Sequence, residues 1–515
     1  MSLARSSLVV GLAAVASRLL GFARDVMIAR VLGAGVAADA FLIAFRLPNT
    51  ARRILNEGGL NAGVVPLYSR IRAEAGPDAA ADFAGLALGA GTLVLLALTG
   101  LVEVAAPLVV LLLAGGYADE AEKFALAVFY TRLAFPFVAL AGLASLIGAL
   151  LNAERHFAAA AVAPVLVNAL LIAVLLALGA PDEATAARQG LWLALAVSAS
   201  GALHLAILAA ALYRLPGGFR LARPRLTPDI RRLGRLVLPA AAASGATQLA
   251  VLVATAVASQ EASAVSWLYY ADRVAQLPLS LIGVAIGTVF LSEVSTRLAA
   301  GDTAGAARAQ SRALEGALAL ALPAAVALVV LGGPISSILF ERGAFGAGDA
   351  AGTAALLAML ALGLPAAAAA KVLAQPFFAR EALAVPLGAG VVALVVTGLA
   401  AMTLQRLIGV AGIGLGLTLG LVVHAGVLQV ASRRSFGFRH SAGTRRRILL
   451  LLLSALIMGL AVGLAEHLFQ SWLAAETFLA RAGTLALICA GGVLVFGSSA
   501  FLLGAVDPRL WRTPA

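Results

Sequence analysis

Long apolar runs separated by short polar stretches organise this chain of 515 residues. They fall at approximately 7–31, 38–69, 80–113, 123–151, 158–180, 187–212, 230–257, 263–296, 312–340, 350–378, 383–405, 409–432, 448–468 and 477–505. A helix needs about 20 apolar residues to cross a bilayer, so the pattern predicts about 14 transmembrane helices. Several runs exceed that length, which implies tilt or extension beyond the hydrocarbon. A membrane β-barrel would alternate apolar and polar residues over each strand. These unbroken runs exclude it, and the expected class is an all-α polytopic membrane protein.

The polar connections sort by charge once the N-terminus is placed in the cytoplasm. One set holds Arg70 and Arg72, Arg155, a cluster from Arg214 to Arg235, Arg297 and Arg308, Arg380, and a second cluster from Arg433 to Arg447. The alternate set is poor in arginine and holds Asp119, Glu120, Glu122, Asp182, Glu183, Glu261, Asp349, Glu466 and Glu476. Cytoplasmic loops collect Lys and Arg, so both termini are expected inside. The first apolar run carries Arg18, Arg24 and Asp25 and lacks a clean cleavage site. It reads as a retained helix rather than a cleaved signal peptide.

The chain also repeats itself. At one offset of 227 residues, Arg46 matches Arg273, Arg70 matches Arg297, Pro107 matches Pro334 and Gly116 matches Gly343. The repeat unit is six helices, an even number, so both copies enter from the same side and are parallel. Transporters use this design, with the substrate site between the lobes. The expected organisation is an N-lobe over 1–212 (helices 1–6), a cytoplasmic linker over 213–229, a C-lobe over 230–434 (helices 7–12), and helices 13–14 with a tail over 435–515.

Composition agrees with this reading. The chain is 62% hydrophobic and 12% charged, about half the charge of a soluble domain. Lys and Arg total 37 against 25 Asp and Glu, a net charge of +12. The topology accounts for that excess, and no nucleic-acid partner is expected. One cysteine, Cys489, permits no internal disulfide and no cysteine metal site.

The informative residues are charges inside apolar segments, because a charge at mid-membrane costs about 2.5–3.5 kcal/mol or more. Helix 1 holds Arg18, Arg24 and Asp25, with Gly21 between the arginines. Arg18 and Asp25 share a helix face but stand about 10 Å apart along the axis. Helix 2 holds Asp39, Arg46, Arg52, Arg53 and Glu57. Asp39, Arg46 and Arg53 recur every seven residues, with Pro48 and Gly58 as sites where the helix bends. Asp272 and Arg273 stand together in helix 8, and Glu293, Glu315 and Lys371 follow.

Arg18, Arg24, Arg46, Arg52, Arg53 and Arg273 stand against four acids, Asp25, Asp39, Glu57 and Asp272. A dry cavity does not hold that excess, which points to a hydrated cavity and an anionic ligand. Guanidinium groups suit a phosphate or diphosphate through bidentate, charge-assisted hydrogen bonds. Arg30, Arg46 and Arg53 fit headgroup contact near an interface equally well. Gly21, Pro48 and Gly58 are the hinge candidates.

Other residues carry less. His204 and His424 read as packed histidines, and Tyr269 and Tyr270 as packing aromatics. Glu103 fits either a buried hydrogen-bonding carboxyl or a cavity wall. The glycines of "GVAGIGLGLTLG" at 409–420 read as close helix packing. With five histidines, none paired at ligand spacing, and no Asp-rich motif at a helix end, no catalytic set is found. The chain is expected not to be an enzyme and to need no cofactor or metal.

The segment "SRLLGFARDVMIARVLGAGVAADAFLIAFRLPNTARRILNEGGLNAGVVPLYSR" at 17–70 resembles the first two helices of the MurJ/MviN lipid II flippase family. "YYADRVAQLPLSLIGVAIGTVFLSEVS" at 269–295 is similar to that family's eighth helix. The family lies in the multidrug/oligosaccharidyl-lipid/polysaccharide exporter superfamily, and the likeness runs over the whole chain. It implies a bacterial inner-membrane flippase whose substrate is lipid II, undecaprenyl-diphosphate carrying the peptidoglycan precursor. It further implies that Arg18, Arg24, Arg52 and Arg273 bind substrate, with Asp25, Asp39 and Glu57 as supporting acids; Arg53 and Asp272 join them as candidate supporting cavity charges on their position alone. Helices 13 and 14 would form a groove for the lipid tail, and the cell-wall synthesis and division machinery would be partners. The alternative is a flippase for another polyprenyl-diphosphate-linked oligosaccharide. A drug exporter of the superfamily would favour an acidic cavity, against this arginine excess.

One departure from the family bears on energy coupling. Some members bind sodium through acids of the second lobe, but helices 7, 11 and 12 contain no Asp or Glu here. Membrane potential is an alternative drive, at about 2.3 kcal/mol per charge per 100 mV.

Overall fold

The computed structural model describes residues 3–55, 60–179, 185–214, 222–285, 296–297, 300–380, 382–438 and 440–505. Among these residues the chain is helical, with one isolated antiparallel bridge between Arg342 and Phe345. The helices form two compact units. One holds residues up to Ser266 together with Arg342–Gly346, and the other holds Trp267–Glu341 with the residues from Ala347 onward.

The first unit contains α1 (Leu3–Leu32), α2 (Val36–Arg53), α3 (Leu60–Leu113), α4 (Ala121–Ala134), α5 (Pro136–Ala153), α6 (Phe157–Leu178), α7 (Ala186–Tyr213) and α8 (Pro228–Ala258). Local chemistry sets several boundaries. Gly33, at φ +66°, ends α1, and a β-carbon there would lie 2.5 Å from the Ala344 carbonyl oxygen. Glycine alone satisfies both demands. Gly76 takes φ +89° inside α3, just before Pro77, and divides its polar first part from its apolar second part. A residue preceding proline is disfavoured in the helical region, and glycine escapes at no steric cost. Pro136 opens α5 at a position where its missing N–H leaves nothing unpaired.

The core of the first unit joins α3 to α5, with Val64, Leu67, Tyr68, Phe83 and Leu88 against Leu146, Leu150 and Leu151. Helix α8 also packs on α3, where a β-carbon on Gly63 would come 2.8 Å from Val237. The compact boundary at Ser266 therefore falls later in the chain than the linker expected over 213–229. The six-helix repeat expected from the sequence and the compact unit are different partitions of the same chain.

The second unit contains most of α9 (Ala264–Ala285), then α10 (Thr303–Val330), α11 (Gly332–Phe340), α12 (Ala347–Ala361), α13 (Leu364–Ala379), α14 (Ala384–Ile408), α15 (Val410–Phe436), α16 (Ala442–Leu468), α17 (Gln470–Leu473) and α18 (Phe478–Leu502). Asp302 caps α10 by accepting from the Gly305 N–H at 2.7 Å, and Ser441 caps α16 through the Thr444 N–H at 3.1 Å. The glycine run expected to mark close packing does so. β-carbons at Gly412 and Gly416 would stand 2.3 and 2.5 Å from the backbone of α14, and one at Gly420 would strike Thr397. Met458, Val462 and Ile488 of α16 and α18 share a core with Leu331 and Ile338. Arg447 of α16 holds Glu315 of α10 with two bonds of 2.8 and 2.9 Å.

Among the described residues, nine helical stretches are long and apolar enough to cross a membrane. The pair α12–α13, bent by 42°, makes up to ten. The four others needed for fourteen are α1, α2, α8 and α9, which bear Arg18, Arg24 and Asp25; Asp39, Arg46, Arg52 and Arg53; Arg231, Arg232 and Arg235; and Asp272 and Arg273. Counting fourteen crossings thus takes these charged helices as spans. The chain is a multi-pass, all-α membrane protein.

Candidate functional site

In the first unit, α1 and α2 present the embedded charges in two different states. Arg18 stands at the middle of the 30-residue α1 and is exposed. No described residue accepts a hydrogen bond from it. Arg24 is the opposite case, with only 11% of its side chain exposed. Its Nε and NH2 donate to Asp25 Oδ1 at 3.0 and 2.7 Å, and its NH1 donates to Asn168 Oδ1 of α6 at 2.9 Å. The guanidinium carbon also stands 5.1 Å from the centre of the Phe45 ring. Asn168 in turn donates to the Ser17 and Pro164 carbonyls, both at 3.1 Å. Three elements therefore fix the plane of Arg24, and Asp25 serves Arg24 rather than Arg18.

On α2, Asp39 and Arg46 are interior residues. Asp39 is fully buried, and its Oδ1 accepts from the Ser266 N–H at 3.0 Å and the Ser266 hydroxyl at 2.6 Å. Its Oδ2 pairs with Lys123 Nζ at 3.0 Å. Lys123 also stands 4.3 Å from the Tyr117 ring centre. Arg46, 7% exposed, donates to the Thr255 hydroxyl of α8. A charge-satisfied layer thus closes around the start of α2. Arg52 and Arg53 lie further along α2, both half-buried, and Arg52 donates to Asn49 at 3.1 Å.

Near that layer the backbone makes further ties. The Ala344 N–H donates to the Arg30 carbonyl at 3.0 Å, and the Gly116 N–H donates to the Ser259 hydroxyl at 3.0 Å. Gly21 lies inside continuous α1, where a β-carbon would meet Asn168 at 3.6 Å. Pro48 is buried inside continuous α2. Glu57, Gly58 and Glu293 lie outside the described residues.

In the second unit, α9 carries the Asp272–Arg273 pair. Asp272 Oδ2 accepts from Gln276 Nε2 at 2.5 Å, and the Arg273 guanidinium lies 4.7 Å from the Tyr269 ring centre. Tyr269 and Tyr270 are buried packing residues, edge to face at 5.4 Å, with Phe340 5.1 Å from Tyr270. Lys371 of α13 is exposed, with Nζ 3.5 Å from the Leu279 carbonyl. His204 and His424 are buried in their helices. Among the described residues no group of His, Cys, Asp and Glu is arranged to hold a metal ion.

Sequence reasoning missed Asn168, Lys123 and Ser266, the residues that set the states of Arg24 and Asp39. The one available signal was Asn168, a lone amide in the apolar run 158–180.

Comparisons with known proteins place the chain among its relatives. Residues 28–483 match the family model described as "Lipid II flippase MurJ". A relative from Rhizobium tropici, named a probable lipid II flippase MurJ, is 36% identical over 517 residues, covering 99% of this chain and 96% of that protein. One of the same name from Rhizobium meliloti (strain 1021) is 38% identical, with coverage of 99% and 96%. A solved structure, "Lipid II flippase MurJ, inward closed conformation", has a TM-score of 0.78 at 21% identity, covering 96% of this chain and 98% of its own. At that identity, the structural match speaks to the fold alone.

Proposed function

The chain belongs to the lipid II flippase MurJ family, and on that premise we propose that it carries lipid II from the cytoplasmic to the periplasmic leaflet of the bacterial inner membrane. The observation that carries the reading is Arg18. It is an exposed cation with no partner among the described residues, at the middle of a long helix in a membrane protein. Lipid tails do not solvate such a group, whereas a water-filled cavity and an anionic headgroup do.

The diphosphate is the part of lipid II that arginines recognise, by paired N–H donors on phosphate oxygens. Arg18, Arg24, Arg52 and Arg273 are the proposed contacts. Arg24 is pre-set for this by Asp25 and Asn168, so little side-chain freedom is lost on binding. Asp25 and Asp272, with Arg53 and Glu57, tune the local charge. Asp39 acts at one remove, through Lys123 and Ser266. The undecaprenyl tail remains in lipid beside α16 and α18, which lie outside the six-helix repeats.

Transport in this reading is alternating access. The headgroup enters from the cytoplasmic side and leaves on the periplasmic side, with Gly21, Pro48 and Gly58 as sites of bending. Both termini lie in the cytoplasm. No bond is made or broken, so the protein is a transporter and not an enzyme. Cell-wall synthases that consume lipid II are natural partners.

The test uses a bacterium whose own flippase can be switched off. Lipid II accessible to a periplasmic cleaving enzyme is measured with this protein, with Arg18→Ala and with Arg273→Ala. Wild type should restore accessibility, and well-inserted variants should not. If well-inserted wild type leaves lipid II inaccessible while it flips another polyprenyl-diphosphate sugar, the substrate assignment fails. If the variants transport normally, the arginine assignment fails.

A further inference from the structure

Lys371 of α13 is a charge inside an apolar segment that the proposed transport route does not use. The chain has two lysines, Lys123 and Lys371. Lys123 is buried and paired with Asp39, whereas Lys371 is exposed. The Lys371 ammonium reaches α9, with Nζ 3.5 Å from the Leu279 carbonyl oxygen. A β-carbon on Gly283 would stand 3.2 Å from Nζ, so glycine at that position leaves the ammonium its place along α9. An ammonium carries three donors and no acceptor, and it recognises an anion as a compact point charge.

Its position along α9 narrows the choice of anion. The same helix carries Arg273, a proposed diphosphate contact, and both residues belong to the second unit. Gly283 lies about 15 Å further along the axis than Arg273. The Arg273 guanidinium leans the other way, toward the Tyr269 ring, one turn nearer the start of α9. The two phosphorus atoms of a diphosphate share one bridging oxygen, so a diphosphate held by Arg273 does not also reach Lys371. Lysines near helix ends turn their ammonium to lipid headgroups. Lys371 instead stands about 12 Å short of the end of α13 at Ala379 and lies against α9.

Resting on the lipid II reading, we propose that Lys371 forms a second subsite for the headgroup. It holds a carboxylate of the peptide arm while Arg273 holds the diphosphate. An extended peptide gains about 3.3–3.6 Å per residue, so an arm of about four or five residues covers the separation. Ser280, seven residues beyond Arg273 on the same face of α9, lies between the two cations. The subsite acts on selectivity. A polyprenyl-diphosphate sugar without an acidic arm gains nothing from Lys371, whereas lipid II gains a charge-assisted contact.

The experiment measures binding of three probes by the purified full-length protein in detergent. They are lipid II, lipid II with its peptide carboxylates amidated, and undecaprenyl diphosphate without sugar or peptide. Wild type should bind lipid II roughly tenfold tighter than the amidated form. Lys371→Met keeps the apolar stem and removes the charge. It should bind lipid II roughly tenfold more weakly than wild type and treat the two forms alike. Its affinity for undecaprenyl diphosphate should match that of wild type, whereas Arg273→Ala should weaken binding of all three probes. Lys371→Arg should keep most of the preference. Unchanged lipid II binding by Lys371→Met would overturn the proposal. So would an equal loss on all three probes, which would put the lysine at the diphosphate or in a purely structural contact. Wild type that binds none of the probes would sink the lipid II reading and the subsite with it. Tight binding of lipid II and of its amidated form alike would sink the subsite alone.

Discussion

Asp39 accepts two hydrogen bonds from Ser266, the residue that stands 227 positions further along the chain. That separation equals the 227-residue offset at which the sequence matches itself. Each sits in the first turns of its helix, α2 or α9. The second oxygen of Asp39 pairs with Lys123, which is only 4% exposed. The carboxylate is thereby satisfied from two sides without any ligand.

This arrangement predicts that Lys123 matters as much as Asp39. Removing one partner of a buried ion pair leaves the other charge uncompensated, at a cost of about 3–5 kcal/mol. Lys123→Ala and Asp39→Asn should both lower the unfolding temperature of the purified protein strongly. The double variant Asp39→Asn with Lys123→Met should recover much of the loss. Independent, additive losses in that cycle would show that the pair is not the connecting interaction.

Arg24 offers a test of pre-orientation. Asn168→Ala removes one acceptor from the guanidinium and the link to Ser17, while leaving every proposed ligand contact in place. A hydrogen bond to a charged group contributes about 1.5–3 kcal/mol. Lipid II binding by the purified protein should weaken roughly tenfold or more, with a smaller change in thermal stability. Asn168→Asp, which keeps an acceptor at that point, should be the milder change. Equal binding by wild type and Asn168→Ala would separate Arg24's orientation from its function.

Packing between α14 and α15 should show a sharp positional contrast. Overpacking a filled interior costs about 1–3 kcal/mol. Gly416→Ala places a methyl group 2.5 Å from the backbone nitrogen of Ala401, whereas Gly426→Ala on the same helix meets nothing within 4 Å. The first should destabilise the protein, and the second should be neutral or slightly stabilising by helix propensity. Thermal melts of the two variants in detergent decide the point.

Acid sensitivity is expected at the turn after α5. Burial of Glu154 opposes its ionisation, but bonds from the Tyr68 hydroxyl at 2.5 Å and from Arg72 outweigh it and hold the carboxyl below its ordinary value of 4.5. A carboxyl depressed in the folded state contributes stability that is fully present above that ordinary value. The contribution is lost as pH falls through the lower, folded-state value. Stability should therefore decline below about pH 4.5, and Glu154→Gln should flatten that decline while lowering stability at neutral pH. An unchanged acid profile in Glu154→Gln would remove this carboxyl as the cause.

Much of the fold was legible in the sequence because lipid imposes simple rules. Apolar run length located the helices, and the glycine spacing of 409–420 announced the α14–α15 contact. The breaks were harder. The run 123–151 is two helices divided at Pro136, and 350–378 is two helices bent by 42°. Hydrophobicity continues through such bends and does not register them. The site was legible as a list of charges out of place, but their states were not. Arg24 is set by Asn168, 144 residues away, and Asp39 by Ser266 and Lys123. No local pattern ties partners so distant, and helical periodicity, which put Arg18 and Asp25 on one face about 10 Å apart, did not show that Asp25 bonds Arg24.

The short segment Arg342–Gly346 belongs to the first compact unit although the chain reaches it long after Ser266. Its Ala344 N–H bonds the Arg30 carbonyl, at the turn where Gly33 leaves room for it. During synthesis, then, the first unit cannot be finished when its own helices have entered the membrane. It must wait for α9, α10 and α11 to be made, with the groove beside Gly33 unfilled in the meantime. A chain truncated within α10 would carry Arg18, Arg24, Arg46, Arg52 and Arg53 of α1 and α2 but no Ala344 to close their turn.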